Sequence, residues 1–458
     1  MTTPQTPSGR SAPLRVAMLS LHTSPLAQAG SGDAGGLNVY VDALSRALQR
    51  SGTAVEIVTT TADASRQHCR DETAVLADGR IVHTLALGDR RDEDKNDLVG
   101  DVADLARRAL ARVGGQPGGS IDLIHSHYWI SGLAGLDMAA QLGVPLVHTM
   151  HTIGAVKTER DPGSVEDPRR ASAEARIAAR AAALTANTQR EAADLERLFG
   201  AKKTNLAVIP PGVDLEIFSP SPAARPAETD GARSADTPAA RPGGDPAAPL
   251  AAQAGLRGEA LRLTFAGRLQ RHKGPQVAIE AVARLLRDSP QLGVHLTIAG
   301  QRSGADFDAA ALISRLGMDD HVTRLPALPH DELAALFRVS DAVLVPSYSE
   351  SFGLVALEAM ACGAPVLAHR VGGLADLVID GETGWLIDSL DSRAWAAKVR
   401  EVAELKQGPA RTTVWNAVSA AAARRSGGFS WDISASLARD LYQRVTSANE
   451  VRGSPEVA

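Results

Sequence analysis

Four residues in this 458-residue chain have types and spacing that could do chemistry together. Glu350 and Glu358 stand eight positions apart in "PSYSESFGLVALEAMACGAP" (346–365), and Arg268 and Lys273 stand five apart in "GRLQRHKG" (267–274). A carboxylate only accepts hydrogen bonds, so it suits hydroxyls in pairs. Two cations beside a strand end suit a diphosphate. The pattern after Glu350 predicts a helix that begins near Phe352 or Gly353. Its first free N–H groups, from Ser351 to Leu354, would add an anion site at the positive end of the helix dipole. Eight helical residues cover roughly 12 Å, about the reach from one end of a sugar nucleotide to the other. One acid could then hold a sugar ring and the other a ribose, with phosphates over the helix start. Glu358 sits in the apolar run "VALEAMACG". An unpaired acid buried there is costly, which weakens its reading as a solvated helix face.

Other candidates are less specific. "HTSPLAQAGSGDAGGLN" (22–38) carries Gly30, Gly32, Gly35 and Gly36 ahead of a helix. Glycines let backbone N–H groups approach an anion closely, but the spacing is not that of a GxxxxGK phosphate loop. His125 and His127 in "HSHYW", and His148 and His151 in "HTMHT", read as polar residues lining a cleft. No cysteine spacing or acid partner nearby makes them a metal site. No Gly-x-Ser-x-Gly elbow or HExxH motif supports a hydrolase.

The elements that must position these groups read as an α/β chain. Apolar runs at 15–21, 54–60, 121–127, 145–150, 261–268, 294–300, 341–347, 365–370 and 384–388 predict strands, and helical periodicity fills the intervals, as at 37–52 and 275–288. Gly52 is placed to cap the first of these helices. Such alternation means parallel sheets covered on both faces. The rhythm breaks at 219–258, a Pro- and Ala-rich stretch with no aromatic, Ile or Val. It cannot bury enough apolar surface to offset its ordering entropy, so it reads as a flexible insertion between two sheets. Ligands of such sheets sit beyond the carboxyl ends of the strands, and the cleft between two domains is the expected site. Composition is that of a globular protein, with 44% hydrophobic and 22% charged residues and a net charge of −5. No long Lys/Arg run marks a nucleic-acid partner, and no apolar stretch is long enough to span a bilayer. Two cysteines and a polar start without a signal-like segment fit a cytoplasmic protein.

"GRLQRHKG", "SESFGLVALEAMACGAPV" and "VGGLADLVIDGETGWLI" together resemble the retaining glycosyltransferases of family 4, and the likeness covers nearly all of the chain outside 219–258. The resemblance implies the GT-B fold: two Rossmann-like parallel-sheet domains facing across a cleft. The divisions are 1–218 for the acceptor side, 259–429 for the nucleotide-sugar side, and a C-terminal helix within 430–458 packing back on the first domain. "LSLHTSPLAQAGSGDAGGLNVYV", "LIHSHYWISGLAG" and "HTMHT" narrow the likeness to members that move N-acetylglucosamine from UDP-GlcNAc to an inositol 3-phosphate, the first step of mycothiol synthesis. On that resemblance His22, Gly36, Arg268, Lys273, Glu350, Ser351, Phe352, Gly353, Leu354 and Glu358 would bind the UDP-sugar. Asp33, Ala34, Gly35, Gly36, Leu37, Asn38, Lys95, Tyr128, Thr152 and Arg176 would hold the acceptor, and His151 would lie against the donor sugar. The catalytic set is His151, Arg268, Lys273 and Glu350. No cofactor is required for the chemistry, and a structural magnesium ion is expected near Phe337, Arg338, Ser340 and Ala364. The partners are a UDP-sugar and a small phosphorylated polyol, with a homodimer as a further expectation.

Three departures from the family pattern fall on the acceptor side. "LALGDRRDEDK" replaces a Gly-Pro-Tyr-Glu-Gly-like segment before Lys95, Thr158 stands where an Asn is expected, and 159–172 is longer and different. Another family 4 transferase, such as a phosphatidylinositol mannosyltransferase or a sucrose-synthesis enzyme, is therefore the alternative. A sugar-nucleotide epimerase would need a proton-abstracting acid at the donor C2. A non-catalytic sensor would be expected to lose Arg268, Lys273 or Glu350, and all three are present.

Overall fold

The computed structural model describes residues 13–28, 35–61, 70–88, 95–114, 120–160, 166–220, 260–302, 307–407 and 411–453. The insertion read at 219–258 lies outside these from residue 221 onward. Eight strands form the first sheet: β1 (Arg15–Ser20), β2 (Ala54–Thr61), β3 (Glu72–Val75), β4 (Ile81–Ala86), β5 (Leu123–His127), β6 (Leu146–Thr149), β7 (Ala183–Ala186) and β8 (Leu206–Val208), in the order β3-β4-β2-β1-β5-β6-β7-β8. All neighbours are parallel except β3 and β4. The second sheet holds β9 (Leu261–Ala266), β10 (Val294–Ala299), β11 (Val322–Leu325), β12 (Ala342–Val345), β13 (Val366–His369) and β14 (Gly384–Ile387), in the order β11-β10-β9-β12-β13-β14, all parallel. In each sheet the chain winds outward from a central strand, β1 or β9, in both directions. The crevice at that reversal is where such sheets take ligands.

The strands read as apolar runs form, mostly trimmed by one or two residues. The hairpin of β3 and β4, and the short strands β7, β8 and β11, have no counterpart in the sequence reading. All four residues of β3 are exposed, so it shows no buried face and no alternation to detect. The helix Gly36–Arg50 buries Tyr40, Val41, Leu44, Ala47 and Leu48 along one stripe, as a 3.6-residue period requires. Its C-cap residue is Ser51, with Gly52 next in the left-handed region.

The helix Trp431–Gly453 packs back on the first sheet's helix Gly36–Arg50. Trp431, Ala435, Ala438, Leu441 and Tyr442 share one apolar cluster with Tyr40, Val41 and Leu44. Each fully buried large side chain of this kind contributes about 2–3 kcal/mol. The Tyr442 hydroxyl also lies 2.7 Å from Nδ1 of His125, tying the helix to β5. The chain passes between the two sheets at Gly212, where an added Cβ would stand 2.2 Å from the Trp431 nitrogen. Only a residue without a side chain allows this backbone contact. No described helix is long and apolar enough to cross a membrane.

Candidate functional site

The carboxyl ends of the two sheets face each other across a cleft of about 800 Å³. Its second-domain wall begins where β9 ends. Arg268 follows directly, and Lys273 closes the single 3-10 turn Arg271–Lys273 before the helix Pro275–Asp288. Beyond β12 the loop brings Glu350 to Lys273, with Nζ 2.7 Å from Oε2. Gly373 donates its N–H to the Glu350 carbonyl at 3.1 Å. An added Cβ on Gly372 would meet that carbonyl at 1.8 Å, so the loop is pinned by backbone that tolerates no side chain.

The following helix is Leu354–Ala361, one to two residues later than the sequence placed it, with Gly353 as N-cap at φ +102°. No side chain caps this end, so its first N–H groups are directed at the cleft. Glu358 is the fifth residue of the helix, and half of its separation from Glu350 is loop. The 12 Å derived for eight helical residues does not describe the pair. Glu358 lines the cleft but is buried. Burial raises its carboxyl to about pKa 8, and no cation offsets the shift.

The first-domain wall is built from loops after β1, β5 and β6. His22, Gly35, Gly36, Leu37, Asn38, Tyr128, His151 and Thr152 all line it. Asn38 accepts from the Gly35 N–H and donates to the Thr23 hydroxyl, each at 2.9 Å, so its side chain holds the loop together. Asp33 and Ala34 lie outside the described residues. Lys95 opens the 3-10 helix Lys95–Asp101, with its side chain outside them.

The two walls are in contact. An added Cβ on Gly35 would stand 3.4 Å from Nε of Arg268, and one on Gly36 would stand 3.4 Å from a Leu354 methyl. Two glycine-started helices thus open toward the same space from opposite domains. Ser351 donates its hydroxyl proton to the His151 carbonyl, and Gln28 donates to the Ala327 carbonyl at 3.1 Å, both across the cleft.

Tyr128 and His151 sit at φ +72° and +61°. Such backbone is strained for residues other than glycine and clusters where function holds it. His151 Nε2 lies 2.9 Å from Nδ1 of His127, and its ring meets Tyr40 edge-on at 4.9 Å. Burial, aided by the charge His148 would carry, lowers its pKa to about 3. It is a neutral imidazole at physiological pH, a hydrogen-bonding group and not a cation. His125, His127 and His148 do not line the cleft, contrary to the sequence reading. All three are fully buried. Alternation on β5 points His125 and His127 to one side, but that side is the interior.

Arg176 is a second correction. It is half-exposed, 3.7 Å from Asp137 on the outer surface, and does not reach the cleft. The helix Pro168–Arg180 buries Arg170, Ala173, Glu174 and Ile177, the i, i+3, i+4, i+7 stripe. Arg176 falls six positions from Arg170, a third of a turn away from it around the helix axis. Arg170 lines the cleft instead. It donates to Glu174 and Glu166 at 2.6 Å each and to the Thr152 hydroxyl at 2.8 Å, and lies 5.0 Å over the Tyr128 ring. Lys157 and Asn187 also line the cleft and were not picked out from sequence. A charged i, i+4 pair inside an otherwise apolar stripe was the available signal for Arg170.

Phe337, Arg338, Ser340 and Ala364 lie away from the cleft. Arg338 donates to the Ser219 and Ile217 carbonyls, and the Ser340 hydroxyl bonds Thr264 and the Leu336 carbonyl. Their side chains offer magnesium no anionic oxygen. At the C-terminal end of the helix His330–Val339 the Leu336 and Phe337 carbonyls already accept from the Ser340 hydroxyl and N–H. Among the described residues no three His, Cys, Asp or Glu side chains group to hold a metal.

Comparison with known proteins agrees with the two-domain fold. Residues 34–217 match the model of Glycosyltransferase Family 4, and residues 249–414 match that of Glycosyl transferases group 1. D-inositol 3-phosphate glycosyltransferase of Arthrobacter sp. (strain FB24) is 43% identical, covering 93% of this chain and 94% of that protein. Its namesake in Xylanimonas cellulosilytica is 40% identical, covering 96% and 98%. Among solved structures, sucrose-phosphate synthase from Thermosynechococcus elongatus matches with a TM-score of 0.77 and 26% identity over 95% of this chain and 100% of that one. HepE of Anabaena in complex with UDP-glucose matches at 0.66 and 19%, over 95% and 100%, a likeness of fold.

Proposed function

This chain belongs to the glycosyltransferase family of the D-inositol 3-phosphate glycosyltransferases, and from that premise we propose that it moves N-acetylglucosamine from UDP-GlcNAc to 1D-myo-inositol 3-phosphate with retention, the first step of mycothiol synthesis. The observation that carries the reading is a cleft with basic side chains on both walls, Arg268 and Lys273 on one and Arg170 and Lys157 on the other. Arg268, Lys273 and the open start of helix Leu354–Ala361 serve a diphosphate. Arg170 and Lys157, beside Thr152 and Tyr128, serve a phosphate on the acceptor.

The donor diphosphate lies against Arg268 and Lys273, with Glu358 accepting from a ribose diol and Glu350 from the sugar. As the bond between the sugar's anomeric carbon and the phosphate oxygen breaks, negative charge grows on the diphosphate. The preorganised donors stabilise it without reorganising, an effect worth about 3–4 kcal/mol for one such group. The acceptor hydroxyl attacks from the face the diphosphate leaves, and its proton passes to the departing phosphate oxygen. His151, neutral and fixed by His127, hydrogen-bonds the sugar. The interdomain contacts of Ser351 and Gln28 exclude water, which limits hydrolysis of the donor. A magnesium ion near Phe337, Arg338, Ser340 and Ala364 would be structural in this reading, and no step runs through it. Cys362, buried as a free thiol, supports a reducing, cytoplasmic setting.

The test is product formation from UDP-GlcNAc with inositol 3-phosphate, free myo-inositol, fructose 6-phosphate and water in parallel, read by mass spectrometry. A GlcNAc-inositol phosphate is expected. A fructose phosphate product would overturn the acceptor in favour of the sucrose-type chemistry named for the Thermosynechococcus structure. Release of UDP with none of the acceptors would leave only the donor half standing.

A further inference from the structure

The acceptor end of the cleft carries a charge arrangement that the reaction alone does not explain. Arg170 is bound by two carboxylates of different standing. Glu174 is fully buried and also accepts from the Gly154 N–H at 3.1 Å, which makes it a fixed part of the interior. Glu166 lines the cleft and is part-exposed. Its two oxygens are divided between the two cations of the site: Oε2 lies 2.6 Å from Nη1 of Arg170, and Oε1 lies 2.5 Å from Nζ of Lys157. Burial pushes the Glu166 carboxyl up, yet the Lys157 hydrogen bond and the Arg170 charge hold it below the usual carboxylate range, so it is an anion. Both cations of the cluster therefore already have carboxylate partners.

A phosphate entering this corner would seek Arg170, Lys157, the Thr152 hydroxyl and the Tyr128 hydroxyl, which lies 3.5 Å from Nη1 of Arg170. Glu166 already sits on the first two. A carboxylate and a phosphate present the same kind of charged acceptor to a guanidinium and an ammonium. Both cannot occupy one place, and neighbouring like charges repel. We infer that Glu166 is a displaceable counter-ion that competes with the acceptor's phosphate for Lys157 and Arg170. It makes the site selective, because only a ligand with more negative charge than one carboxylate displaces it. An unphosphorylated polyol meets a site whose cations are already taken. This rests on the phosphorylated-acceptor reading above.

The experiment measures competitive inhibition by inorganic phosphate, and the KM for inositol 3-phosphate and for UDP-GlcNAc, in wild type and Glu166→Gln. Removing one like charge from a partly screened site should tighten phosphate inhibition and lower the acceptor KM by about ten-fold, well beyond any change in donor KM. Glu166→Asp, too short to span both cations, should fall between, and carries the test if the glutamine variant folds poorly. Lys157→Met should weaken phosphate inhibition in both backgrounds. A raised acceptor KM in Glu166→Gln would overturn the inference and make Glu166 a hydrogen-bond partner of acceptor hydroxyls. Unchanged phosphate inhibition in both Glu166 variants would overturn it as well. Wild type that ignores phosphate and uses free myo-inositol equally well would instead sink the acceptor reading itself.

Discussion

The two ends of the cleft hold their buried carboxyls in opposite ways. At the second-domain end, Glu358 is a buried carboxyl with no cation to offset it, displaced to about pKa 8. At the first-domain end, Arg170, Lys157, Glu166 and Glu174 are paired with one another, though burial raises the Glu174 carboxyl, and the buried histidines around His151 are kept neutral. The donor end holds one unmet demand, at Glu358, that a ligand's hydroxyls satisfy, beside the already paired Lys273 and Glu350. The other waits with demands already met, which a ligand must replace. The difference teaches that a donor site can be stabilised by its ligand, while an acceptor site with internal counter-ions can gain selectivity from them.

The largest expected effect breaks the donor end alone. Lys273→Ala or Glu350→Gln should reduce transfer by at least about 10²–10³-fold, as loss of a charge-stabilising group does. Circular dichroism and thermal melts should stay near wild type, because the pair is part-exposed. Substantial activity in either variant would undo the placement of the diphosphate.

Next comes a contrast within the acceptor end. Arg170→Met leaves Glu174 buried without its cation, which costs about 3–5 kcal/mol of stability, and should raise the acceptor KM sharply with little change in donor KM. Arg176→Ala, on the outer face, should change neither. Equal effects of the two variants on acceptor KM would return Arg176 to the site.

The smallest effects separate the ends by pH. Glu358 is about pKa 8 in the fold against 4.5 unfolded, so the fold binds its proton more tightly. Its contribution is therefore neutral below 4.5 and increasingly destabilising from there to about pH 8. Glu358→Gln should raise the melting temperature near neutral pH while weakening donor binding, and wild type should release protons when UDP binds. His148 and His151 go the other way. Their pKa values fall to about 3 from 6.5, so stability is intact above pH 6.5 and is lost as pH drops toward 3. Melts from pH 4 to 8 on wild type and Glu358→Gln check both signs: the substitution should change the alkaline side and leave the acid side in place.

How much of this was legible before folding differs between the ends for a physical reason. Arg268, Lys273, Glu350 and Glu358 follow two neighbouring strands, β9 and β12, of one parallel sheet. Sheets of that kind present strand ends to the ligand side whatever the details of packing, so position along the chain was enough to bring those four together. Composition and apolar rhythm likewise determined two α/β sheets, and the lone acid in an apolar helix already marked Glu358 as costly. Tertiary structure decided the rest. Arg170 and Arg176 are both arginines on one helix, and only the direction in which that helix packs says which one faces the cleft. His125 and His127 share a side of β5, but whether that side meets solvent or the C-terminal helix depends on Trp431–Gly453 returning from more than 300 residues away. The balance at Glu166 depends on side chains from two separate helical segments meeting at one point. Local spacing tells where a side chain sits along its own element, and only the packing of elements against each other sets what it faces.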